Sequence, residues 1–499
     1  MSTIPLVMKR QDTTDTDSYN SSSSVMAPFF TNGTCDPFHP VSKPCTLGNL
    51  IAYAVDVNKP EHITKALQFV KNHNIRLIVR NTGHDYNGKS TGAGALGLWM
   101  HNLKDIEIKD YTSAYYTGKV MKMGAGVQVI EAYEAADREG LEVVGGECPS
   151  VGIAGGYSQG GGHSALASRH GLAADQVLEW EVVDGTGKFV VARRDNEYSD
   201  LYWALTGGGG GTYGIVWSMT SRAHTGHPTS GLNLTFTNAN ISQDTFYEAV
   251  KLYQHTLPDI VDAGSMSVWQ FTNSSFSLSP LTGPNIPVDK LVALVEPFTD
   301  GLHHLGIKYS MHSQQFSSYL EEFETMQAPT QVGVAQYGGY LIPRSVVQEN
   351  NDALTAAYRH IVEDGGTFTG VGLNVSRALV GEDIESINAV LPAWRETLID
   401  TVITTPWDWT APQPAILAAQ RKMTDEYIPR LAALAPHSGA YMNEGDFRQP
   451  NFQRVFYGTN YGRLREIKGK YDPDEVFHGH TAVGSEEWQQ QHDGRLCRA

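Results

Sequence analysis

The chain has 499 residues, 41% hydrophobic and 18% charged, a globular balance for which about two to four domains are expected. Its formal net charge of −17 repels phosphate backbones and anionic lipid surfaces, which argues against nucleic-acid and membrane partners, although the same charge also serves solubility alone. No run of about 18 apolar residues occurs, so no transmembrane helix is expected.

Residues 1–45 read as an arm: MSTIPLVMKRQDTTDTDSYNSSSS is polar and lacks a long apolar signal core, as in a flexible leader or a mature chain whose signal has been removed. Cys35 and Cys45 flank a proline-rich stretch without a core of its own, where a disulfide would act as a staple. Asn20, Asn32, Asn233, Asn240, Asn273 and Asn374 each open an N-x-[ST] triplet. Export is the reading both features favour. The remaining cysteines, Cys148 and Cys497, form no CxxC pair, and no spacing suits a zinc site.

From Ala52 the pattern turns regular. YAVDV alternates as a strand, Pro60 opens the helical spacing of EHITKALQFVKNHN, and RLIVRNTGHD reads as a buried strand running into a turn. LGLWM and KVMKMGAG follow as strands, and VLEWEVVDGTGKFVVA reads as a hairpin turning at Asp184 and Gly185. Between Gly83 and Gly214 glycine clusters in GGECPSVGIAGGYSQGGGHS and TGGGGGTYGIV. Large apolar residues interrupt both runs, so these are not linkers; they suit a backbone cradle that lets a large cofactor approach closely.

Near His227 the character changes. GLNLTFTNA and SVWQFTNSSFSLS read as strands, LPAWRETLID and AILAAQRKMTDEYIPRLAALA as helices, which together predict a second domain with an antiparallel sheet. The C-terminal stretch returns to motif-like sequence, with an amphipathic YGRLREIKGKYDP ending at Pro473. No internal repeat is present.

GHDYNGKS fits the phosphate-loop formula G-x-x-x-x-G-K-S and follows a strand, but TGAGALGL after it cannot open the helix such a loop needs. A G-x-G-x-x-G opening a helix after the first strand is absent. Taken singly, His84 and Cys148 read as ordinary loop residues.

Taken together, RNTGHDYNGKSTG, GGECPSVGIAGGYSQGGGHS, HGLAADQVLEWEVVDGTG, DLYWALTGGGGGTYGIV and FYGTNYGRLREIKGKYDPDEVF resemble, in order, the berberine-bridge-enzyme-like branch of the vanillyl-alcohol-oxidase flavoprotein family, its secreted fungal oxidases above all. The resemblance implies an α+β fold: a two-part FAD-binding domain of PCMH type (46–227 and 439–499) and an inserted α+β substrate domain (228–438) carrying an antiparallel sheet, after the N-terminal arm (1–45). It implies FAD bonded through His84 to the flavin 8α-methyl and through Cys148 to flavin C6. Arg80, Asn81, Thr82, Gly83 and Asp85 would surround the pyrophosphate. Gly152, Gly155, Gly156, Ser158, Gly160, Gly161 and Gly162 would approach the flavin and ribityl chain. Gly214, Ile215 and Val216 would line the adenine side, and Asn443 the flavin edge.

The family removes a hydride from a C–H bond while a base takes the hydroxyl or amine proton. By the same resemblance Val151, three residues after the tethering cysteine, would be the small oxygen gate of an oxidase, where a dehydrogenase carries leucine; its other reading is ordinary packing. Glu444 stands where related sugar oxidases carry a tyrosine that helps the base step. Either Glu444 is itself the base or it is a surface or salt-bridged residue, and the departure weakens a sugar-oxidase assignment. Tyr86 is a further candidate; Tyr337, Tyr340 and Trp269 read first as core aromatics, and His163 and His170 as structural.

The expected activity is oxidation at a carbon bearing a hydroxyl, with dioxygen reduced to hydrogen peroxide, by a secreted monomer acting on a small molecule. The alternatives are an oxidative cyclisation enzyme of secondary metabolism and a non-catalytic secreted flavin- or glycan-binding protein. The middle of the chain matches no motif, so the substrate is not specified.

Overall fold

A computed structural model describes residues 8–9, 30, 42–327, 335–406, 408, 411–491 and 495–499. Cys35, Asn20 and Asn32 lie outside the described residues; Cys45 is disulfide-bonded, and Cys148 and Cys497 are free thiols.

Three larger sheets organise the chain. The first holds Met8–Lys9 (β1), Tyr53–Asp56 (β2), Leu77–Arg80 (β3) and Leu96–Trp99 (β4) in the order β1-β2-β4-β3, with β4 parallel to both β2 and β3. Helix Pro60–His73 (α1) joins β2 to β3. Proline at its first turn costs no hydrogen bond, Ile63, Ala66, Leu67 and Val70 make one buried stripe, and Asn74 ends it with a left-handed φ of 50°. The chain thus leaves β3 at Arg80 and enters the loop 81–90 at the sheet's end.

The second sheet contains Ile106–Thr112 (β5), Thr117–Gly124 (β6), Val177–Asp184 (β7), Phe189–Arg193 (β8) and Gly214–Arg222 (β9), ordered β5-β6-β9-β7-β8 and antiparallel throughout. The expected hairpin is β7–β8, its turn held by Asp184, whose Oδ1 accepts from the Thr186 and Lys188 amides at 2.9 and 3.0 Å. Between β6 and β7 lie helix Val129–Asp137 (α2) and a π-helical turn, Ile153–Tyr157.

The third sheet has seven strands, every pair antiparallel: Thr229–Thr237 (β10), Met266–Phe271 (β11), Ser275–Pro284 (β12), Tyr309–Phe316 (β13), Ala335–Pro343 (β14), Thr367–Gly372 (β15) and Thr397–Pro406 (β16), ordered β13-β10-β12-β11-β15-β16-β14. Trp269 and Tyr340, both fully buried, sit in its core. LPAWRETLID departs from the helix its sequence predicts. Only Pro392–Glu396 winds, as a 3-10 turn, and the β-branched run TLIDTVITT that follows is strand β16. AILAAQRKMTDEYIPRLAALA is helical, with a π-helical turn at Met423–Tyr427.

Two buried ion pairs lock these parts together. Arg395, just before β16, forks onto Asp175 at 2.8 and 2.9 Å, behind the glycine-rich segment. In helix Tyr461–Tyr471 (α3), Lys468 donates to Asp472 and to the carbonyls of Thr212 and Phe477, which fastens the C-terminal segment to the loop entering β9. Among the described residues no helix is long and apolar enough to cross a membrane.

Candidate active site

The glycine-rich loops converge on one cleft. Its walls come from 81–87 and 89–90 after β3, from 146–148, 151–152 and 154–157 around the π-helical turn, from 210–211, 214 and 216 entering β9, and from the C-terminal positions 441, 443–444 and 477–479. The loop after β3 is shaped by Asp85, whose carboxylate accepts from the amides of Asn87 (2.9 Å) and Ser90 (2.7 Å). Side chains are excluded where the walls touch. A Cβ on Gly155 would come within 2.7 Å of Asn81 Nδ2, and one on Gly210 within 2.9 Å of Gly156 Cα.

Most of the residues expected at a cofactor line this cleft: Asn81, Thr82, Gly83, His84, Asp85, Cys148, Gly152, Gly155, Gly156, Gly214, Val216 and Asn443, together with Tyr86, Val151 and Glu444. Six stand behind it instead. Arg80 is buried at the end of β3, where its charge bears on His84. Ser158 turns inward to donate to the Ile153 carbonyl at 2.6 Å. Gly160 is covered by Asn443, which would meet its Cβ at 2.6 Å. Gly161 and Gly162, at φ 121° and 77°, accept from the Ala174 and Ala173 amides and tie the cradle to the segment bearing Asp175. Ile215 alternates to the opposite face of β9 from Gly214 and Val216 and is fully buried.

Two clusters face each other across the chemistry. In the first, His84 Nε2 lies 2.7 Å from Ser150 Oγ, which is itself 3.7 Å from Cys148 Sγ. Burial, and then the nearby Arg80 charge, push His84 down to about 4, so its imidazole is neutral. The second cluster is acidic. His163 sits between Glu147 (Nδ1 to Oε2, 3.2 Å) and Glu444 (Nε2 to Oε1, 3.3 Å). Burial disfavours its charge, but the two carboxylates more than offset that and raise it well above the ordinary histidine value. Asp400 of β16 completes the group, its carboxylate oxygen within 4.8 Å of the His163 and Glu444 ligand atoms. Burial first, then Glu444, raises Asp400 to about 8, which keeps it protonated through neutral pH. Tyr86 stacks on Tyr337 of β14 with centroids 3.7 Å apart, and the hydroxyl of Tyr86 feels both Glu444 and Cys148. Asn443 Nδ2 donates to the Gly156 carbonyl (2.9 Å) and to Tyr441 (2.8 Å), so the C-terminal segment is pinned to the cradle.

Glu444 is therefore a cleft residue, and His163 is part of the site rather than a structural bystander. Glu147, Tyr441 and Asp400 were not singled out in the sequence, and Lys89 was met only in the phosphate-loop formula of GHDYNGKS. Glu147 adjoins Cys148, which was available as a hint; Asp400 lay in a segment read as helix.

The fold and cleft define a protein with a large glycine-walled ligand site, and comparison with known proteins fixes the class. Residues 51–193 match the family model for an FAD binding domain, and residues 440–484 match the berberine and berberine-like model. An FAD-linked oxidoreductase of Aspergillus clavatus is 49% identical over 96% of this chain and 83% of its own length. One of Gibberella zeae is 46% identical over 96% and 84%. A solved VAO-type flavoprotein from Myceliophthora thermophila C1 superposes with a TM-score of 0.90 at 39% identity, covering 97% of this chain and 90% of the other. The chain belongs to the berberine-bridge-enzyme-like branch of the vanillyl-alcohol-oxidase family and is an FAD-linked oxidoreductase.

The cleft suits FAD on its own terms. Asn81 Oδ1, Asn87 Oδ1, Gln159 Oε1, His478 Nδ1, Glu147 Oε1 and Glu444 Oε2 are buried atoms without a hydrogen-bond partner among the described residues, and all belong to residues of the cleft wall. That is the lining expected for a ligand rich in donors and acceptors. Lys89 also lines the cleft; burial disfavours its charge and Asp85 opposes that, so an anionic phosphate group there would favour its cationic form.

Proposed function

We propose that the chain is an oxidase that takes a hydride from a carbon bearing a hydroxyl, with Glu444 as the base, and that its FAD is held covalently by His84 and Cys148. The observation that carries this reading is the position of Glu444: a carboxylate in the cleft wall, one oxygen on His163 and the other buried without a hydrogen-bond partner among the described residues. FAD, when bound, would supply the two-electron acceptor for the hydride, with dioxygen as the final oxidant reduced to hydrogen peroxide.

The protein's own contribution is positional and protonic. Glu444 accepts the substrate hydroxyl proton. His163 stabilises the carboxylate before transfer and is shared with Glu147, so the negative charge is spread over two acids. Asp400, protonated, adds no charge to the cluster. The Tyr86–Tyr337 stack supplies a flat wall beside Glu444, which favours a substrate with an apolar or conjugated face. Two carboxylates in the same cleft disfavour an anionic substrate.

His84 and Cys148 both line the cleft, a free thiol and a neutral imidazole bracketing Ser150. A structural neighbour of 20% identity and TM-score 0.70, the glucooligosaccharide oxidase of Acremonium strictum, carries a 6-S-cysteinyl, 8α-N1-histidyl FAD, and the same two residue types stand here. Val151 also lines the cleft, where its small side chain leaves room for dioxygen.

Secretion as a glycosylated monomer remains part of the reading. Asn240 and Asn273 are exposed, as a glycan acceptor must be.

The test is peroxide release on a panel of uncharged secondary alcohols, conjugated natural-product alcohols, oligosaccharides and hydroxy acids, with the mass of each product. The reading predicts peroxide in step with products two hydrogens lighter, best for uncharged conjugated alcohols. Turnover confined to hydroxy acids would contradict it. A relative 38% identical over 96% of this chain is a bifunctional decalin synthase of Penicillium decumbens, so ring closure is a second outcome that the product's structure would reveal.

A further inference from the structure

Among the described residues, Ser150 is a side chain that touches both proposed tethers. Its hydroxyl is 2.7 Å from His84 Nε2 and 3.7 Å from Cys148 Sγ, and the residue is buried. Its placement is built rather than incidental. The first amides of helix α2 have no partner inside their own helix. Two of them, Val129 and Ile130, donate to the carbonyls of Val151 (2.9 Å) and Pro149 (3.0 Å). The carbonyl of Ser150 itself accepts from Gln128 Nε2 at 2.9 Å, and Gln128 is fixed in turn by the capping box with Glu131. The segment 149–151 is thus riveted to a helix end, with the Ser150 hydroxyl left between the imidazole and the thiol.

A serine hydroxyl has one proton to give and two lone pairs to receive. It can accept from His84 Nε2–H and donate to the Cys148 sulfur at the same time. The first bond fixes the tautomer, leaving the lone pair on Nδ1, the ring nitrogen opposite Ser150. The second strengthens as negative charge gathers on sulfur.

We propose that Ser150 is the positioning residue for both flavin tethers, a single hydroxyl that aims the His84 nitrogen and supports the Cys148 sulfur during bond formation. The inference rests on the covalent reading above. Each tether exchanges one N–H or S–H of the protein and one C–H of the flavin for an N–C or S–C bond. Two protons and two electrons are lost, and dioxygen takes them as hydrogen peroxide. At His84 the proton lost is the one on Nε2, which faces Ser150. The neutral state that burial and Arg80 impose on His84 keeps its lone pair available.

The experiment uses the full chain carrying Ser150→Ala or Ser150→Thr, each also combined with His84→Ala or Cys148→Ala so that the bonds are followed one at a time. Apoprotein is mixed with FAD in aerated buffer, and flavin retained after denaturation is read against time by intact mass and peptide mapping. Reversible FAD binding is measured separately by fluorescence quenching. Ser150→Ala is expected to slow both bonds by about tenfold or more, the loss of roughly one hydrogen bond at the transition state. Ser150→Thr should restore them to within about threefold of wild type, and reversible FAD affinity should be unchanged. Wild-type rates in Ser150→Ala, slowing of only one bond, or slowing that merely follows weakened FAD binding would each overturn the proposal. A wild-type protein that releases all its flavin would instead overturn the covalent reading itself, and this inference with it.

Discussion

Two histidines of one cleft are driven in opposite directions. His84 stands on the side shaped by burial, with Arg80 behind it and a hydroxyl in front, and its imidazole is neutral. His163 is as thoroughly enclosed but has carboxylates on both ring nitrogens, and it is charged. Burial opposes charge in both; what decides the outcome is the sign of the neighbours. On the proposed reading the difference gives each wall its role: a neutral imidazole suits the nucleophile that joins a cofactor, and an imidazolium between acids suits a positioner of the proposed base.

The largest effect expected from breaking this division is at Glu444. Glu444→Gln keeps the shape and removes the proton acceptor, so turnover should fall by about 10²- to 10⁴-fold while bound flavin and reversible FAD affinity are unchanged. Anaerobic flavin reduction in a stopped-flow instrument measures it; loss within a factor of about three would remove Glu444 from the base role.

The next effect is on stability. His163→Gln leaves Glu147 and Glu444 facing each other without the cation, at a cost of about 2–3 kcal/mol. This is less than for a fully buried pair, because the carboxylates keep 19% and 23% of their exposure. A histidine raised in the folded state stabilises most below its unfolded value, near 6.5, and loses that contribution as pH rises through the folded one. The deficit from denaturant melts should therefore be largest near pH 6 and shrink in alkali.

At Asp400 the expected effect is a pH slope rather than a fixed loss. Its carboxyl, raised from 3.8 to about 8, also stabilises the fold at low pH and loses that contribution as pH climbs toward 8. Asp400→Asn removes the titration. The melting temperature of wild type should fall more between pH 5 and pH 8 than that of the variant, and equal slopes would contradict the assignment.

The two walls also differ in how much of them the sequence disclosed. The tether wall is local. His84 and Cys148 sit in compact glycine-bearing segments, because a backbone that must approach a ligand closely leaves its glycines in the sequence. The acid wall is assembled from three separate segments: Glu147 and His163 share the glycine-rich segment that carries Cys148, while Asp400 and Glu444 come from far along the chain. No spacing links these segments, and His163 read as structural because Glu444 and Asp400 are remote. Asp400 was hidden twice, once by distance and once because LPAWRETLID carries helical spacing that the β-branched run after it overrides. The strand order of the third sheet was equally illegible, and of its seven strands only β10, β11 and β12 were read as strands: pairing of β16 with β14 and β15 is decided by long-range contacts.

Flavin retention tests the central claim most directly. The wild-type protein, the His84→Ala and Cys148→Ala variants and the double variant are precipitated in acid, and the flavin is measured in pellet and supernatant. The account predicts a yellow pellet for wild type and for each single variant, and free FAD only from the double variant. A colourless wild-type pellet with all its flavin in solution would contradict it.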